Sequence, residues 1–200
     1  MIWDKLALPY DAAETIYNGK VYHRTGELVA EYIGPGDTVL ECACGTGAIS
    51  IHIARKCRLL VATDMSVPML RQCEKKLRSC YNAVIKKADI TKLNCGDDRF
   101  DKVVAGNVIH LLDDPDAALS ELRRVCRPGG LIILPTYINK EEGKTNLGAK
   151  AVGMIGVDFK SEFSSVSYTE FLEQKGFMIE EFRIADGRMP CAIAIIRNNK

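Results

Sequence analysis

A glycine-containing turn after a short apolar run has the residue types needed to bind a nucleotide-like ligand. Gly45 and Gly47 can take positive φ and leave room for a ligand beside the backbone. Glu41 precedes them, and its carboxylate suits a cationic or hydroxyl-bearing group. Residues 48–55 have a helical pattern, so their first amides would face the same ligand. The segment therefore predicts a cofactor loop, although a simple turn explains it equally well when taken alone.

A second acid, Asp64, strengthens the cofactor interpretation. It ends the next apolar run, about 20 residues after the glycines, the spacing at which a carboxylate reaches ribose hydroxyls in a doubly wound sheet. Two further apolar runs lead into Asp89 and Asn107, and a turn at 127–130 precedes a third apolar run. The series predicts several strands that each end in a polar position.

The elements that position these residues alternate as strand and helix from residue 36 to residue 134, which predicts a parallel sheet between helices. Ser66 is the expected cap of one helix, and residues 113–116 begin another. Helices are also expected at 12–17 and 25–33, before the first strand.

The last part of the chain departs from this alternation. Ser167 is the expected N-cap of a helix over 168–175, with Glu170 at the capping-box position and Gly176 as the stop. Residues 177–184 and 191–197 have strand-like patterns and predict a terminal hairpin, with its turn near residue 186.

The ordered motifs together resemble the class I S-adenosylmethionine-dependent methyltransferases, and among them the small ubiquinone/menaquinone-biosynthesis-like branch. The resemblance covers about residues 34–134 and, more loosely, the tail from residue 168. It implies an α/β, Rossmann-like, doubly wound fold. The sheet would be mostly parallel and seven-stranded, with an antiparallel last strand and helices on both faces.

The resemblance also implies the cofactor, S-adenosyl-L-methionine, and its product, S-adenosyl-L-homocysteine. It assigns the methionine part to the first loop, the ribose to Asp64 and the adenine to the region of Asp89. The full expected cofactor set is Glu41, Ala43, Gly45, Thr46, Gly47, Asp64, Met65, Met69, Asp89, Ile90, Asn107, Val108 and Tyr22. Ala43 stands where the family has a loop glycine, and its methyl group is tolerable if φ is negative.

Three residues are candidates for binding or deprotonating the methyl acceptor. His110 follows the fourth strand and is the expected general base, with shielding of the cofactor as the alternative role. Tyr10 and Tyr137 are the expected acceptor-binding residues, although for Tyr10 the core is the more frequent place of an aromatic residue on an amphipathic helix. Acceptor choice is expected to reside in an insert at 136–166, which an ordinary helix over 147–157 would also explain.

Length and composition agree with one domain of 200 residues, 47% of them hydrophobic. The expected organisation is a helical lid over 1–35, a cofactor-binding core over 36–135, the acceptor-side insert, and a terminal helix and hairpin over 167–200. A net charge of +1 gives no reason to expect nucleic acid as partner, so the expected partner is a small-molecule acceptor. Without a long apolar run, no membrane association is expected, and the chain is expected to be cytoplasmic and a monomer or homodimer.

The eight cysteines have no Cys-x-x-Cys spacing, so no metal site is expected. Most of them lie in apolar contexts and are expected to be small buried side chains in a reducing compartment. Cys42 and Cys44 are exceptions because they lie in the cofactor loop, where a helix N-terminus would lower the pKa of a thiol. Packing remains the favoured role even for these two.

Three functions remain open from the sequence. The favoured one is methyl transfer to a small molecule. An NAD(P)-dependent oxidoreductase shares the glycine turn and Asp64, but Ser50 stands where its G-x-G-x-x-G loop would have the third glycine. A non-catalytic cofactor-binding module is the third possibility.

Overall fold

The computed structural model describes residues 2–139 and 160–200. The expectations for residues 140–159, including the helix or cover within the acceptor-side insert, lie outside these ranges.

The described residues form a seven-stranded sheet with the order β3-β2-β1-β4-β5-β7-β6. The first five strands pair in parallel, whereas β7 is antiparallel to both β5 and β6. This confirms the predicted fold, including the terminal hairpin. The strands are β1 (Thr38–Cys42), β2 (Leu59–Asp64), β3 (Ala83–Lys87), β4 (Phe100–Ala105), β5 (Cys126–Tyr137), β6 (Ile179–Ala185) and β7 (Cys191–Arg197).

Helices cover both faces of the sheet. They are α1 (Ile2–Leu6), α2 (Tyr10–Ala30), α3 (Ser50–Ala54), α4 (Val67–Leu77), α5 (Pro115–Val125) and α6 (Ser165–Gln174), with a 3-10 turn at Ile109–Leu111. Side chains of α2, α3 and α4 pack in one hydrophobic cluster, and those of α5 and α6 pack in another. Neighbouring residues of β1 alternate between the clusters, as pleating requires: Val39 lies in the first and Leu40 in the second.

Two helix starts confirm the sequence prediction. The Ser66 hydroxyl accepts a hydrogen bond from the Met69 amide at 3.3 Å, and the Asp114 carboxylate accepts one from the Ala117 amide at 2.9 Å. Each side chain satisfies an amide that the first helical turn leaves without a partner. Both α4 and α5 therefore begin where local sequence indicates.

Two other helix starts were predicted wrongly. Helix α3 begins only at Ser50, because residues 46–49 are a turn and not the first helical residues. The cap of α6 is Ser164, three residues before the predicted Ser167. Ser164 and Ser167 form a reciprocal capping box, with the Ser167 amide donating to the Ser164 hydroxyl at 3.1 Å and the Ser164 amide donating to Ser167 Oγ at 2.9 Å.

The two predicted N-terminal helices are one element, α2, with a kink at Asn18. This residue has φ −140° and ψ 28° inside the helix and is buried. Its amide nitrogen donates to the carbonyl of Met189 at 2.7 Å, and its amide oxygen accepts from the Met189 amide at 3.3 Å. The kink thus attaches α2 to the connection between β6 and β7.

The order of strands reverses between β1 and β4. From β1, the chain proceeds outward to β2 and β3, and then returns past β1 to place β4 on its other side. In open α/β sheets, such a reversal leaves a crevice at the carboxyl ends of the two strands, where ligands bind. No helix in the described ranges is long and apolar enough to span a membrane.

We expect Asn18→Ala to lower the free energy of unfolding by about 1 to 3 kcal/mol, since it leaves the buried amide and carbonyl of Met189 without their partners. Urea denaturation followed by circular dichroism measures the change. Lys20→Ala, on an exposed position of the same helix, is the control and should change stability by less than about 0.5 kcal/mol. Equal effects of the two variants would contradict a structural role for the kink.

Candidate functional site

A cavity of about 380 Å³ opens at the carboxyl ends of β1 and β4. Its walls come from the loops after the first four strands and from α1 and α2, with Trp3 on the N-terminal side. Its volume lies in the range typical of sites for small ligands and cofactors. The reversal of strand order therefore produces the crevice that the fold predicts.

Most of the predicted site residues line this cavity. The ends of β1 and β2 each contribute an acid, and the loop after β1 contributes two small residues. The other predicted lining residues are tyrosines, apolar side chains and one amide. The predicted residues found there are Tyr10, Tyr22, Glu41, Ala43, Gly45, Asp64, Met65, Met69, Ile90, Asn107, Val108 and Tyr137.

Three predicted cofactor residues do not line the cavity. The hydroxyl of Thr46 donates to the carboxylate of Asp11, and Gly47 packs on α4. Asp89 Oδ1 accepts hydrogen bonds from Thr91, at 2.9 Å from its amide and 2.7 Å from its hydroxyl. Asp89 thus caps its own turn, while its neighbours Ala88 and Ile90 line the cavity.

His110, the predicted general base, also lies away from the main cavity. It is buried, and it lines a small separate pocket with Asn139 and Phe163. Burial lowers its pKa to about 4, so the imidazole is neutral at pH 7. Its carbonyl accepts from the Lys160 and Ser161 amides. This placement indicates a packing role, which is neither of the two roles expected for it, and both catalysis and shielding of the cofactor by His110 stay predictions.

Glu41 is the most unusual group in the cavity. Its side chain lies at the end of β1 and only 2% of the residue is exposed. Within the described ranges, Oε2 has no hydrogen-bond partner. Burial raises the pKa of this carboxyl group to about 8. The hydroxyl of Ser50 hydrogen-bonds to the same carboxyl group and opposes this rise, but it does not satisfy Oε2. A buried carboxylate oxygen without a donor is costly, so a cationic or hydrogen-bond-donating ligand would relieve it.

The loop after β1 has an unusual backbone. Ala43 has φ 53°, so the negative φ at which its methyl group would be tolerated without strain is not adopted, and the residue carries a strain of roughly 1 kcal/mol. Gly45 has φ 54°, and an added Cβ there would meet no described atom within 4 Å. The loop therefore presents bare backbone to the cavity at Gly45.

Asp64 connects this loop to the loop after β2. Its Oδ2 accepts from the Gly45 amide at 2.9 Å, and its Oδ1 accepts from the Ser66 amide at 2.8 Å. Burial raises its pKa, although these amide hydrogen bonds act in the opposite direction. The Met65 amide is a third donor to this carboxylate, which has about four lone-pair sites, so one site is left for a ligand hydroxyl. Asp64 can thus fix the loops and still face the cavity.

The N-terminal helices are attached to the cofactor loop through Asp11. Its carboxylate accepts from the hydroxyls of Tyr22, at 2.7 Å, and Thr46, and pairs with Lys76 of α4 at 2.7 Å. Burial alone would raise its pKa, but the hydrogen bonds from Lys76, Thr46 and Tyr22 lower it. These contacts suit the predicted lid, whose segment boundaries stay a prediction.

Sequence reasoning missed several residues of the cavity wall, namely Trp3, Thr25, Cys44, Ala48, Ile49, Ser66, Ala88, Gly106, Leu111, Leu112 and Asp113. Gly106 carries a signal that could have identified it, because it ends the apolar run of β4 directly before Asn107. An added Cβ at Gly106 would lie 2.6 Å from Ile49 Cδ1, so any larger residue there would require the end of the Ile49 side chain to move.

Glu14 was also missed. Its Oε2 accepts a hydrogen bond at 3.1 Å from the hydroxyl of Tyr137, and its carboxylate bonds with Tyr10 as well. Burial raises the pKa of Glu14 despite these hydrogen bonds. Both tyrosines line the cavity, so Glu14 lies directly behind its wall.

The loop cysteines do not have lowered pKa values. Burial raises the pKa of Cys42 to about 12. The pKa of Cys44 is raised by its hydrogen bond to Cys73 and then by burial. The hypothesis of an activated thiol at either position was therefore wrong. Over residues 2–139 and 160–200, no three histidine, cysteine or acidic side chains are grouped to hold a metal ion.

We expect Glu41→Gln to stabilise the ligand-free protein increasingly as pH rises from 5 to 8. The folded-state pKa of about 8 exceeds the ordinary 4.5, so the folded protein holds a proton that the unfolded chain releases in this window. Wild-type stability from this group is present below pH 4.5 and is lost as pH rises. Urea denaturation at pH 5, 6.5 and 8 tests it, and parallel curves for the two proteins would contradict the raised pKa.

The site can now be compared with known proteins. Residues 40–134 match the family model of a methyltransferase domain. The chain is 35% identical over 135 residues to a demethylmenaquinone methyltransferase of Mycobacterium marinum, covering 66% of this chain and 56% of the relative. It is 30% identical over 138 residues to a ubiquinone/menaquinone biosynthesis C-methyltransferase of Bdellovibrio bacteriovorus, and this match covers 66% of this chain and 59% of the relative. The matched segments thus span little more than half the length of these relatives.

The fold likeness extends further than the sequence likeness. A SAM-dependent methyltransferase from Aquifex aeolicus superimposes with a TM-score of 0.72, covering 94% of this chain and 97% of that one at 18% identity. The sheet order, the crevice and the family match confirm the resemblance drawn from the motifs. Residues 40–134 of this chain therefore match a methyltransferase domain, and they lie within a seven-stranded, Rossmann-like fold.

Proposed function

We propose that the chain is an S-adenosylmethionine-dependent methyltransferase that acts on a small-molecule acceptor. The observation that carries the proposal is the buried carboxylate of Glu41, whose Oε2 has no partner within the described part of the chain. It lies at the crevice of a methyltransferase domain and beside the open backbone of Gly45. The methionine part of the proposed donor carries the ammonium group that such a carboxylate would bind.

The other cavity residues fit the remaining parts of the donor. The remaining acceptor site of the Asp64 carboxylate would accept a hydrogen bond from a ribose hydroxyl. Met65, Met69 and Ile90 offer an apolar wall for the adenine ring. The predicted contact of Asp89 with the adenine is not part of this proposal, since Thr91 occupies its Oδ1.

When bound, S-adenosylmethionine supplies an electrophilic methyl group on a sulfonium sulfur. The chain's own task is to hold donor and acceptor in contact and to exclude water. Trp3, Tyr10 and Tyr22 cover the N-terminal side of the cavity, and Asp11 fixes Tyr22 to the cofactor loop. These contacts make the helical lid the element that would exclude water.

Tyr137 and Glu14 are the groups best arranged to take a proton from the acceptor. Burial raises the pKa of Tyr137 well above its ordinary value, so its hydroxyl stays protonated and donates a hydrogen bond to the Glu14 carboxylate. An acceptor hydroxyl bonded to Tyr137 would pass its proton to the phenol oxygen while the phenol proton moves to Glu14. The proposed acceptor is therefore a small molecule with an ionisable hydroxyl, as the quinone-related names of the relatives also favour.

An oxidoreductase function has less support. Ser50 occupies the third glycine position of a dinucleotide loop and is fully buried, and the family match is to methyltransferases. The cytoplasmic location and the expected monomer or homodimer stay predictions.

We expect S-adenosylhomocysteine to bind with micromolar affinity in calorimetric titration, and NAD and NADP to give no heat of binding. Its ammonium group should ionise Glu41, so binding at pH 7 should release a proton. Titrations in phosphate and in Tris, which differ in ionisation enthalpy, measure that release. Glu41→Gln should weaken binding by about 1 to 3 kcal/mol and abolish the proton release.

The exposed Glu27→Gln is the matched control and should match the wild type in both respects. Binding of dinucleotides without S-adenosylhomocysteine would overturn the proposed function. Binding that Glu41→Gln leaves intact would remove Glu41 from the site. Tight binding without transfer to any acceptor would favour the non-catalytic module.

We expect Glu14→Gln and Tyr137→Phe each to lower kcat by about 10²-fold, the usual contribution of a general base. Affinity for S-adenosylhomocysteine should stay within about two-fold of wild type, because both groups lie on the acceptor side. The assay is transfer of labelled methyl from S-adenosylmethionine to a panel of hydroquinones and phenols. On acidification, kcat/KM of the wild type should begin to decrease at a pH above 4.5, because burial raises the pKa of Glu14 above that value. Glu14→Gln should not show this decrease.

Tyr17→Phe serves as the control on α2, because Tyr17 packs against Arg188 and is absent from the cavity wall. It should keep the wild-type kcat. An unchanged kcat in Tyr137→Phe would exclude the proposed proton transfer.

A further inference from the structure

Two thiols from different elements meet behind the cofactor loop. Cys44 follows β1 and Cys73 lies in the middle of α4, and their sulfurs are 3.9 Å apart. Both are free thiols. Cys73 is fully buried, whereas Cys44 lines the main cavity and is 6% exposed. A small reagent that enters the cavity therefore reaches Cys44 first, with Cys73 directly behind it.

The pair is close enough to be joined after a small movement. A disulfide needs sulfurs about 2.05 Å apart. Helix α4 has little freedom to approach, because a Cβ added to Gly47 would lie 2.9 Å from Cys73 Sγ and 3.3 Å from its Cα. The movement must therefore come mainly from Cys44 and its neighbours in the loop.

The surroundings also prepare the pair for reaction. The Cys44 thiol donates a hydrogen bond to the Cys73 sulfur, which lowers the pKa of Cys73 although burial opposes it. Ser50 Oγ, 3.9 Å away, and the ammonium of Lys76 act in the same direction. Cys73 is thus the better nucleophile of the two, and Cys44 is the more accessible.

We propose that Cys44 and Cys73 form a site of oxidative modification, at which a peroxide that enters the main cavity joins their sulfurs in a disulfide. The structure places no other described cysteine pair with one sulfur on the cavity wall and its partner behind it. The product links the cofactor loop covalently to α4.

The reaction balances with one equivalent of hydrogen peroxide. The Cys73 sulfur, which accepts the hydrogen bond of the Cys44 thiol, takes up its proton as the Cys44 sulfur attacks one peroxide oxygen. The O–O bond breaks, and the departing hydroxide takes that proton and leaves as water, which gives a sulfenic acid on Cys44 and returns Cys73 to the thiolate. The Cys73 sulfur then attacks the Cys44 sulfur, the S–S bond forms, and the S–O bond breaks with loss of a second water. Two thiols are oxidised by two electrons in total, and the peroxide is reduced to two molecules of water.

The modification should oppose ligand binding in the cavity. Cys44 directly precedes Gly45, whose amide holds Asp64, so moving the Cys44 sulfur towards α4 disturbs that hydrogen bond. A ligand in the cavity conversely covers Cys44. This consequence, unlike the disulfide itself, rests on the proposed function.

The test treats the full-length reduced protein with hydrogen peroxide, blocks remaining thiols with iodoacetamide and maps tryptic peptides by mass spectrometry. Residues 25–55 form one peptide with both Cys42 and Cys44, and residues 72–75 form the peptide with Cys73. We expect these peptides to be linked, with the loss of two hydrogen atoms. The link should disappear in Cys44→Ser and Cys73→Ser.

Cys42→Ala is the matched control, because Cys42 lies on the same segment but packs in the cluster on the opposite face. This variant should keep the cross-link. Oxidation confined to the half-buried Cys80 and Cys95, with the 25–55 and 72–75 peptides unlinked, would overturn the proposal.

A second arm tests the coupling to the cavity. S-adenosylhomocysteine at about ten times its Kd should slow cross-linking about ten-fold, because only the free protein reacts. The oxidised protein should bind it at least about ten-fold more weakly, with dithiothreitol restoring affinity. Unchanged affinity after cross-linking would overturn the coupling. Failure of the reduced protein to bind S-adenosylhomocysteine would instead count against the proposed function and leave the cross-link result intact.

Discussion

The reversal of strand order between β1 and β4 is the constraint on which the site depends. The chain leaves β1 towards β2 on one side and returns to β4 on the other, so the connections diverge above the shared edge. Because these connections diverge, loops cover the carboxyl end of β1, and no helix of the described residues packs directly over it. Glu41 lies at that end, buried too deeply for water to solvate it fully and facing a cavity of about 380 Å³. The fold thus creates a buried carboxyl group with one oxygen, Oε2, that no described residue satisfies, which suits the ligand contact proposed above.

The cavity holds its shape through hydrogen bonds between loops that are far apart in sequence. Asp64 ties the loops after β1 and β2, and the Cys44 amide donates to the Thr63 carbonyl at 2.9 Å. Asp11 extends this network to the N-terminal helices through Thr46 and Lys76. Opening the lid would therefore break contacts to the same loop that carries the ligand-facing backbone, so lid position and loop geometry should change together.

The sequence predicts those features that depend on neighbours along the chain. The cap at Ser66, the strand end at Asp64 and the open turn at Gly45 are local, and each is found as expected. The placements that differ from expectation depend on contacts that spacing does not encode. Asp89 turns to Thr91, and His110 faces a separate pocket. The positive φ of Ala43 likewise follows from the path that the loop must take over β1, not from a residue preference.

In the proposed function, two glutamates have different tasks, Glu41 being buried at the cavity and Glu14 half-buried behind its wall. Burial raises the pKa of both Glu41 and Glu14, but their partners differ. Glu14 receives hydrogen bonds from two tyrosine hydroxyls, so it already has donors and can take up one more proton through Tyr137. Oε2 of Glu41 has no such donor among the residues described, so a permanent cation satisfies it better than a transient proton. Environments that separate two like groups in this way assign one to binding and the other to proton transfer, and here the assignment follows the geometry of donor and acceptor sides.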